Sequence, residues 1–127
     1  MNHAEYKLQV SVCEYLNTQY PNVKYYSDTI AAVKLTPMQG YRNKQIQKDE
    51  FKTPDLTILQ PNAMDHGLFI ELKIKSPYKA NGELYKDEHL EGQQRAIDDL
   101  NALGYYACFA WTFEMCKEII DRYMMTV

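Results

Sequence analysis

The stretch Pro54–Lys73, PDLTILQPNAMDHGLFIELK, constrains the fold of this chain more than any other. Two short apolar runs, Asp55–Leu59 and Leu68–Ile74, are rich in Leu, Ile, Thr and Phe. They flank QPNAMDHG, whose Pro61, Asn62 and Gly67 are turn formers. The pattern predicts two neighbouring antiparallel strands joined by a loop. Strand side chains alternate between faces, so Leu68, Ile70, Leu72 and Ile74 share one face and Phe69, Glu71, Lys73 and Lys75 the other. On the first strand Leu56 and Ile58 take the apolar face, which leaves Asp55 and Thr57 opposite. A loop symmetric about Ala63 sets Asp55 directly across from Glu71, with Cβ atoms about 4.5–5.5 Å apart.

Two carboxylates facing each other across strands repel, and folding alone gives no reason to place them so. A bound divalent cation removes the conflict. Mg²⁺ takes one or two protein carboxylates, keeps several waters and draws further ligands from phosphate. Lys73, two residues beyond Glu71 on the same face, would sit beside such an ion, placed to orient a water or meet a developing negative charge. The combination suits metal-assisted phosphodiester hydrolysis. The plainer alternative is a sheet with one wet face, on which Glu and Lys alternate without function. Asp55 in register and Pro54 before it favour the site. Glu71 is expected at the strand surface, so Glu71→Ala should remove activity and spare the fold.

A Pro-Asp pair, a spacer and then Glu-x-Lys resembles the active-site signature of the PD-(D/E)xK nuclease superfamily, here Pro54-Asp55 and Glu71-Leu72-Lys73. The rest of the chain resembles the VRR-NUC branch in its small, stand-alone, phage-type form. That resemblance extends over nearly the whole sequence, in order. It implies a single domain over residues 1–127, of α/β class and restriction-endonuclease-like. A small central mixed β-sheet would be flanked by α-helices. It also implies a divalent-metal-dependent DNA endonuclease, structure-specific on branched, flapped or four-way junction DNA. Asp55 and Glu71 would hold Mg²⁺ or Mn²⁺, with the backbone carbonyl of Leu72 a further ligand by position. Small members resemble homodimers. No organic cofactor is expected.

Other parts of the resemblance fall outside the central stretch. Ala4–Gln19 reads as a helix with Leu8, Val12, Tyr15 and Leu16 on one stripe. A glutamate on the family's first helix commonly reaches the metal site. Glu5, on that stripe, matches its place better than Glu14, which falls off it. His89–Leu103 is a second helix with Gln93, Ile97 and Leu100 at i, i+4 and i+7. A glutamine seven residues before a leucine, followed by a glycine, belongs to the family's active site, and Gln93, Leu100 and Gly104 fit that frame. Lys34-Leu35-Thr36 and Arg42-Asn43-Lys44 resemble the KLT…KNK pattern of stand-alone members. The chain departs from the usual GxPD, placing Lys52 where the family has glycine.

Net charge decides where nucleic acid could bind. The total is −3, but residues 34–86 carry nine of the 14 basic and six of the 17 acidic residues, a local +3. Residues 87–127 carry three basic and eight acidic residues, a local −5. A phosphate-tracking surface must therefore lie in the middle third. Its candidates are Lys34, Arg42, Lys44, Lys48, Lys52, Lys75 and Lys79. The last two lie on IKSPYKANGELYKDEH, a basic excursion with a hairpin-tip signal at Asn81-Gly82. It reads equally as a flap over substrate or as a surface loop.

Val23–Lys34 and Tyr105–Trp111 read as strands, Phe113–Tyr123 as an amphipathic helix, and Gly104 as a helix cap. Cys13, Cys108 and Cys116 are odd in number and lack metal-ligand spacing, which predicts reduced core thiols in a cytoplasmic protein, the host cytoplasm if phage-encoded. His3, His66 and His89 are scattered singly, which speaks against zinc. No membrane-spanning run and no signal-peptide layout is present. The rival functional class is a catalytically silent nucleic-acid-binding module. The presence of Asp55, Glu71 and Lys73 together argues against it.

Overall fold

In the computed structural model, which describes residues 3–28 and 35–127, the chain runs α1 (His3–Gln19), β1 (Tyr25–Ser27), α2 (Pro37–Gln45), β2 (Leu56–Ile58), β3 (Leu68–Leu72), α3 (Glu88–Ala102), β4 (Tyr106–Ala110) and α4 (Phe113–Met124). The four strands form one mixed sheet in the order β1-β2-β3-β4. The first two pairings are antiparallel and β3–β4 is parallel. This is the α/β arrangement, a small central mixed sheet flanked by helices, that the resemblance implies.

The β2–β3 register is the one expected from a loop centred on Ala63. Leu56 faces Ile70, Thr57 faces Phe69 and Ile58 faces Leu68. The loop holds this register through Asn62, whose Oδ1 accepts from Met64 and Asp65 backbone amides at 3.0 and 2.7 Å. Asn62 Nδ2 donates to the Tyr123 carbonyl, and the Tyr123 hydroxyl donates to Gln60 O at 2.6 Å, so α4 staples the loop in place.

Strand alternation divides the molecule into two cores. Leu56, Ile58, Leu68, Ile70 and Leu72 point to the face covered by α1 and α4, where Val12, Leu16, Cys116 and Ile120 meet them. Each such side chain is essentially sealed from water, and full burial of a Leu or Ile is worth about 1.5–3 kcal/mol. Asp121 accepts hydrogen bonds from Tyr15 and Tyr20 at 2.6 and 2.7 Å, tying α4 to α1. The opposite face packs Phe69, Ala107 and Phe109 against Ile97 and Leu100 of α3.

Helix ends follow their caps. Asp87 accepts from the Leu90 amide and Thr112 from Met115, starting α3 and α4. Gly104 follows α3 at φ 97°, and an added Cβ there would meet the His66 ring at 2.7 Å. At that position only glycine fits.

Two sequence expectations need correction. The run Leu68–Ile74 stops as a strand at Leu72, although Lys73 N still donates to Ala110 O at 2.9 Å. Ile74 is therefore half exposed and off the apolar face. The chain is turning toward Pro77, which has no amide to extend a ladder. The strand expected over Val23–Lys34 is described only as Tyr25–Ser27, with residues 29–34 outside the described part. The three cysteines are free, as expected; Cys116 is buried, Cys13 and Cys108 half-buried. Burial pushes the Cys108 and Cys116 thiols up to about 12, so both stay protonated. Among the described residues, no helix is long and apolar enough to cross a membrane.

Candidate active site

Extending the β2–β3 register by one step sets Asp55 opposite Glu71. Pro54 is buried just before it, and the Asp55 backbone carbonyl accepts from Asp28 N at 2.8 Å. The Asp55 side chain is held as firmly: Oδ2 accepts from the Leu72 amide at 2.8 Å. The aspartate thus caps the end of β3 while facing the glutamate.

Glu71 departs from expectation. It is not a strand-surface residue but is 6% exposed, the one charged side chain buried among the described residues. Sequence alternation gave its face correctly and its environment wrongly. That face is covered, because α3 and the hairpin base, with Tyr78 against Phe109 and Trp111, close over it. Phe109 is also the register neighbour of Glu71 on β4. Burial, then the hydrogen bond with Asp55 and the Asp55 charge, push the Glu71 carboxyl up to about 9. The charges of Lys73 and Lys52 pull the other way and do not compensate. At neutral pH the Glu71 carboxyl therefore keeps its proton.

Lys52 reaches this pair from the segment that follows α2. Glu50 turns the chain with φ 59°, a left-handed conformation uncommon outside glycine, and Phe51 packs on the α3-side core. Lys52 then lines an open cavity of about 800 Å³ together with His89, Gln93 and Arg95. Where the family pattern has a glycine, this chain places a cation whose charge reaches Glu71.

Gln93 lies one turn before Ile97 on the sheet-facing stripe of α3. A helix that joins two parallel strands runs back against them, so its early turns lie toward the end of the β3–β4 pair that carries Glu71. The Gln93 Oε1 atom is buried with no hydrogen-bond partner. Buried polar atoms are nearly always paired, so an orphan of this kind marks a place for a ligand or a water.

The donor set fits a hard divalent cation. The proton kept on Glu71 relieves its conflict with Asp55, and a cation would replace it. No group of three or more His, Cys, Asp or Glu side chains converges among the described residues. Two carboxylates, a backbone carbonyl such as that of Leu72, waters and phosphate oxygens match the habit of Mg²⁺.

Of the remaining expected residues, Glu5 lines a second cavity of about 460 Å³ with Lys73 and Lys75, while Glu14 is exposed and lines neither cavity. Arg42 and Lys44 project from the last turn of α2, whose start is fixed by a Thr36–Gln39 capping box. Lys48 and Lys79 are exposed and line neither cavity. Lys34 lies outside the described residues. The hairpin tip at Asn81-Gly82 forms as expected, with Gly82 at φ 88°.

Two residues were missed. Arg95 joins Lys52 in the larger cavity, although it belongs to the acidic third of the chain. His89 lines both cavities. Its signal was present as the i, i+4 spacing to Gln93, which puts both on one face of a helix.

Comparison with known proteins now bears on this geometry. No protein-family model and no curated protein matches the sequence. Among solved structures, a VRR_NUC domain protein aligns over 99% of this chain and 92% of its own, with a TM-score of 0.61 and 19% identity. The chain has the VRR_NUC fold. At that identity the likeness extends to the architecture: a mixed four-stranded sheet carrying helices on both faces. In the VRR_NUC arrangement of this chain, the β2 start, the β3 end and the first turns of α3 meet at one edge. Asp55, Glu71 and Lys73 lie at that edge, and Lys52, whose charge reaches Glu71, shares a cavity with Gln93.

Proposed function

We propose that this protein is a Mg²⁺- or Mn²⁺-dependent endonuclease that hydrolyses DNA phosphodiester bonds, with branched, flapped or four-way junction DNA as substrate. The observation that carries the reading is buried Glu71 facing half-buried Asp55, held in register beside two lysines that do not neutralise it. A protein gains nothing in stability from this pair alone, which is the mark of a site kept for its ligand.

Asp55, Glu71 and the Leu72 carbonyl hold the cation. When bound, the ion polarises the scissile phosphate and lowers the pKa of the attacking water. Lys73 orients that water and meets the negative charge growing on the phosphate oxygens. Gln93 Oε1 accepts a hydrogen bond from the water and fixes its approach. Lys52 and Arg95 receive the phosphates that flank the cut in the larger cavity, and Glu5 with Lys75 bounds the smaller one. The water gives up one proton to solvent as its oxygen bonds to phosphorus, one phosphorus–oxygen ester bond breaks, and the departing sugar oxygen takes a proton back from solvent, so the net change is addition of one water.

The test is cleavage of labelled linear, flapped and four-way DNAs with Mg²⁺, Mn²⁺ or excess chelator. Cutting is expected only with metal, and most on the branched forms. Activity that survives chelator removes the metal from the mechanism. A location in the cytoplasm of a host cell fits such a substrate and the free thiols.

The exposed cations of the α2 region should supply phosphate contacts outside the catalytic pair. Changing Arg42, Lys44 and Lys48 together to Gln should weaken DNA binding and flatten its salt dependence. Each lost phosphate contact lowers the slope of log K against log salt by about 0.9 on duplex DNA. An unchanged slope would shift the DNA path to the hairpin bearing Lys75 and Lys79.

A chain with one such site needs a second copy, related by a two-fold axis, to cut symmetrically across a junction. A homodimer follows. Sedimentation of an active monomer at micromolar concentration would contradict it.

A further inference from the structure

The orphaned oxygen of Gln93 has a counterpart at the other end of the same amide. Gln93 Nε2 lies 3.2 Å from His89 Nε2, one helical turn earlier on α3. An amide NH₂ group only donates, so in this contact the imidazole Nε2 must accept. A ring that accepts at Nε2 carries its hydrogen on Nδ1. The orientation of Gln93 and the tautomer of His89 are therefore one choice.

That choice decides what the amide offers to the interior. With Nε2 turned to His89, the carbonyl oxygen is the buried, unpartnered end. It can accept from a water but gives nothing to the Glu71 carboxylate. The reversed amide would take a hydrogen bond from an Nε2–H ring and turn two N–H groups inward. Those donors would favour ionised Glu71 in place of a cation and would repel the attacking water's hydrogens.

We propose that His89 is a positioning residue of this site: by accepting from Gln93 Nε2 it keeps the carbonyl oxygen as the buried, unpartnered end of the amide. The inference rests on the nuclease reading for its chemical consequence, though not for its geometry. His89 also lines both the cavity of Lys52 and Arg95 and the cavity of Lys73 and Glu5. It thus borders both cavities, and its ring orientation bears on both. Among the described residues, His3 and His66 line neither of these cavities.

Two measurements on the full chain test the proposal. The first needs no activity: long-range ¹H–¹⁵N correlation of the imidazoles, assigned with His89→Gln, reads the tautomer directly. The Nδ1–H form is expected for His89, and the Nε2–H form would overturn the inference. The second is a substitution series read by cleavage and thermal melting. His89→Gln keeps an acceptor for Gln93 Nε2 and should retain most of kcat. His89→Ala should lose about 10–100-fold in kcat, the usual cost of losing a residue that orients another at a metal site, with KM little changed. His89→Lys, a donor only, should reverse the amide and fall below His89→Ala. In a Gln93→Ala background the His89→Ala change should have no further effect. Equal activity of the Gln and Lys variants would overturn the proposal. A parent protein that cuts no DNA sinks the nuclease reading alone, and the tautomer still decides the role of His89.

Discussion

Glu71→Gln is expected to abolish DNA cleavage while leaving the protein at least as stable as the parent. The side chain is buried and its carboxyl is pushed up to about 9, first by burial and then by Asp55. Glutamine has the same shape as the protonated acid and donates to Asp55 in the same way. Glu71→Ala would instead leave a cavity and an unpaired Asp55 oxygen, confusing loss of function with loss of fold. A divalent cation supplies several kcal/mol of transition-state stabilisation, at tenfold in rate per 1.36 kcal/mol. A loss of about 10³-fold or more should follow if the ion is no longer held. Single-turnover cleavage and a thermal melt on the same sample check both halves. Near-parent cutting by a well-folded Glu71→Gln protein would remove the pair from the mechanism.

Asp55→Asn should change the sign of its effect on stability with the solution conditions. Asparagine keeps an oxygen to accept from the Leu72 amide, the 2.8 Å bond that Asp55 makes now, and adds an NH₂ to donate to Glu71. In chelator at neutral pH the variant should be more stable than the parent by roughly 0.5–2 kcal/mol, the scale of a single favourable change. In saturating Mn²⁺ the parent should be the more stable, because it alone gains the linkage of a ligand that binds the folded state. Asp55→Ala separates the charge from the cap: losing the acceptor for Leu72 N should cost about 1–3 kcal/mol even in chelator.

The pH dependence carries the same signature. Glu71 in the folded chain sits near 9, above its ordinary value of 4.5, so between the two the folded state holds the extra proton. Stability in chelator should therefore fall as pH rises from about 5 to 9. Asp55→Asn should flatten that fall. Melts across pH with chelator decide it. A destabilising Asp55→Asn change under those conditions would make Asp55 a purely structural cap.

The pairing of Asp55 with Glu71 was legible in the sequence because strand periodicity is two and the loop is symmetric, so one assumption fixed every register pair. The two helices on the Leu56–Ile70 face were legible from their stripes, with Leu8, Val12 and Leu16 on one and Cys116, Ile120 and Tyr123 on the other. The burial of Glu71 was not. It depends on how α3 and the 74–87 hairpin fold over Phe69 and Phe109, a matter of tertiary packing that no local period records. Ile74 failed for a related reason: alternation says which face a strand residue takes, not where the strand ends. Lys52 looked like a lost glycine, and only its position near Glu71 gives it an electrostatic role. His89 looked like a lone histidine until the orphaned Gln93 oxygen gave its spacing a meaning.

Calorimetric titration of Mn²⁺ into the parent and into Glu71→Gln, at pH 7 in two buffers of different ionisation enthalpy, tests the central claim most directly. If the Asp55–Glu71 pair is the metal site, the parent binds Mn²⁺ and releases about one proton per ion, the proton kept on Glu71. Glu71→Gln should bind far more weakly and release none. Binding without proton release and unchanged by Glu71→Gln, or no binding by the folded parent, would contradict it.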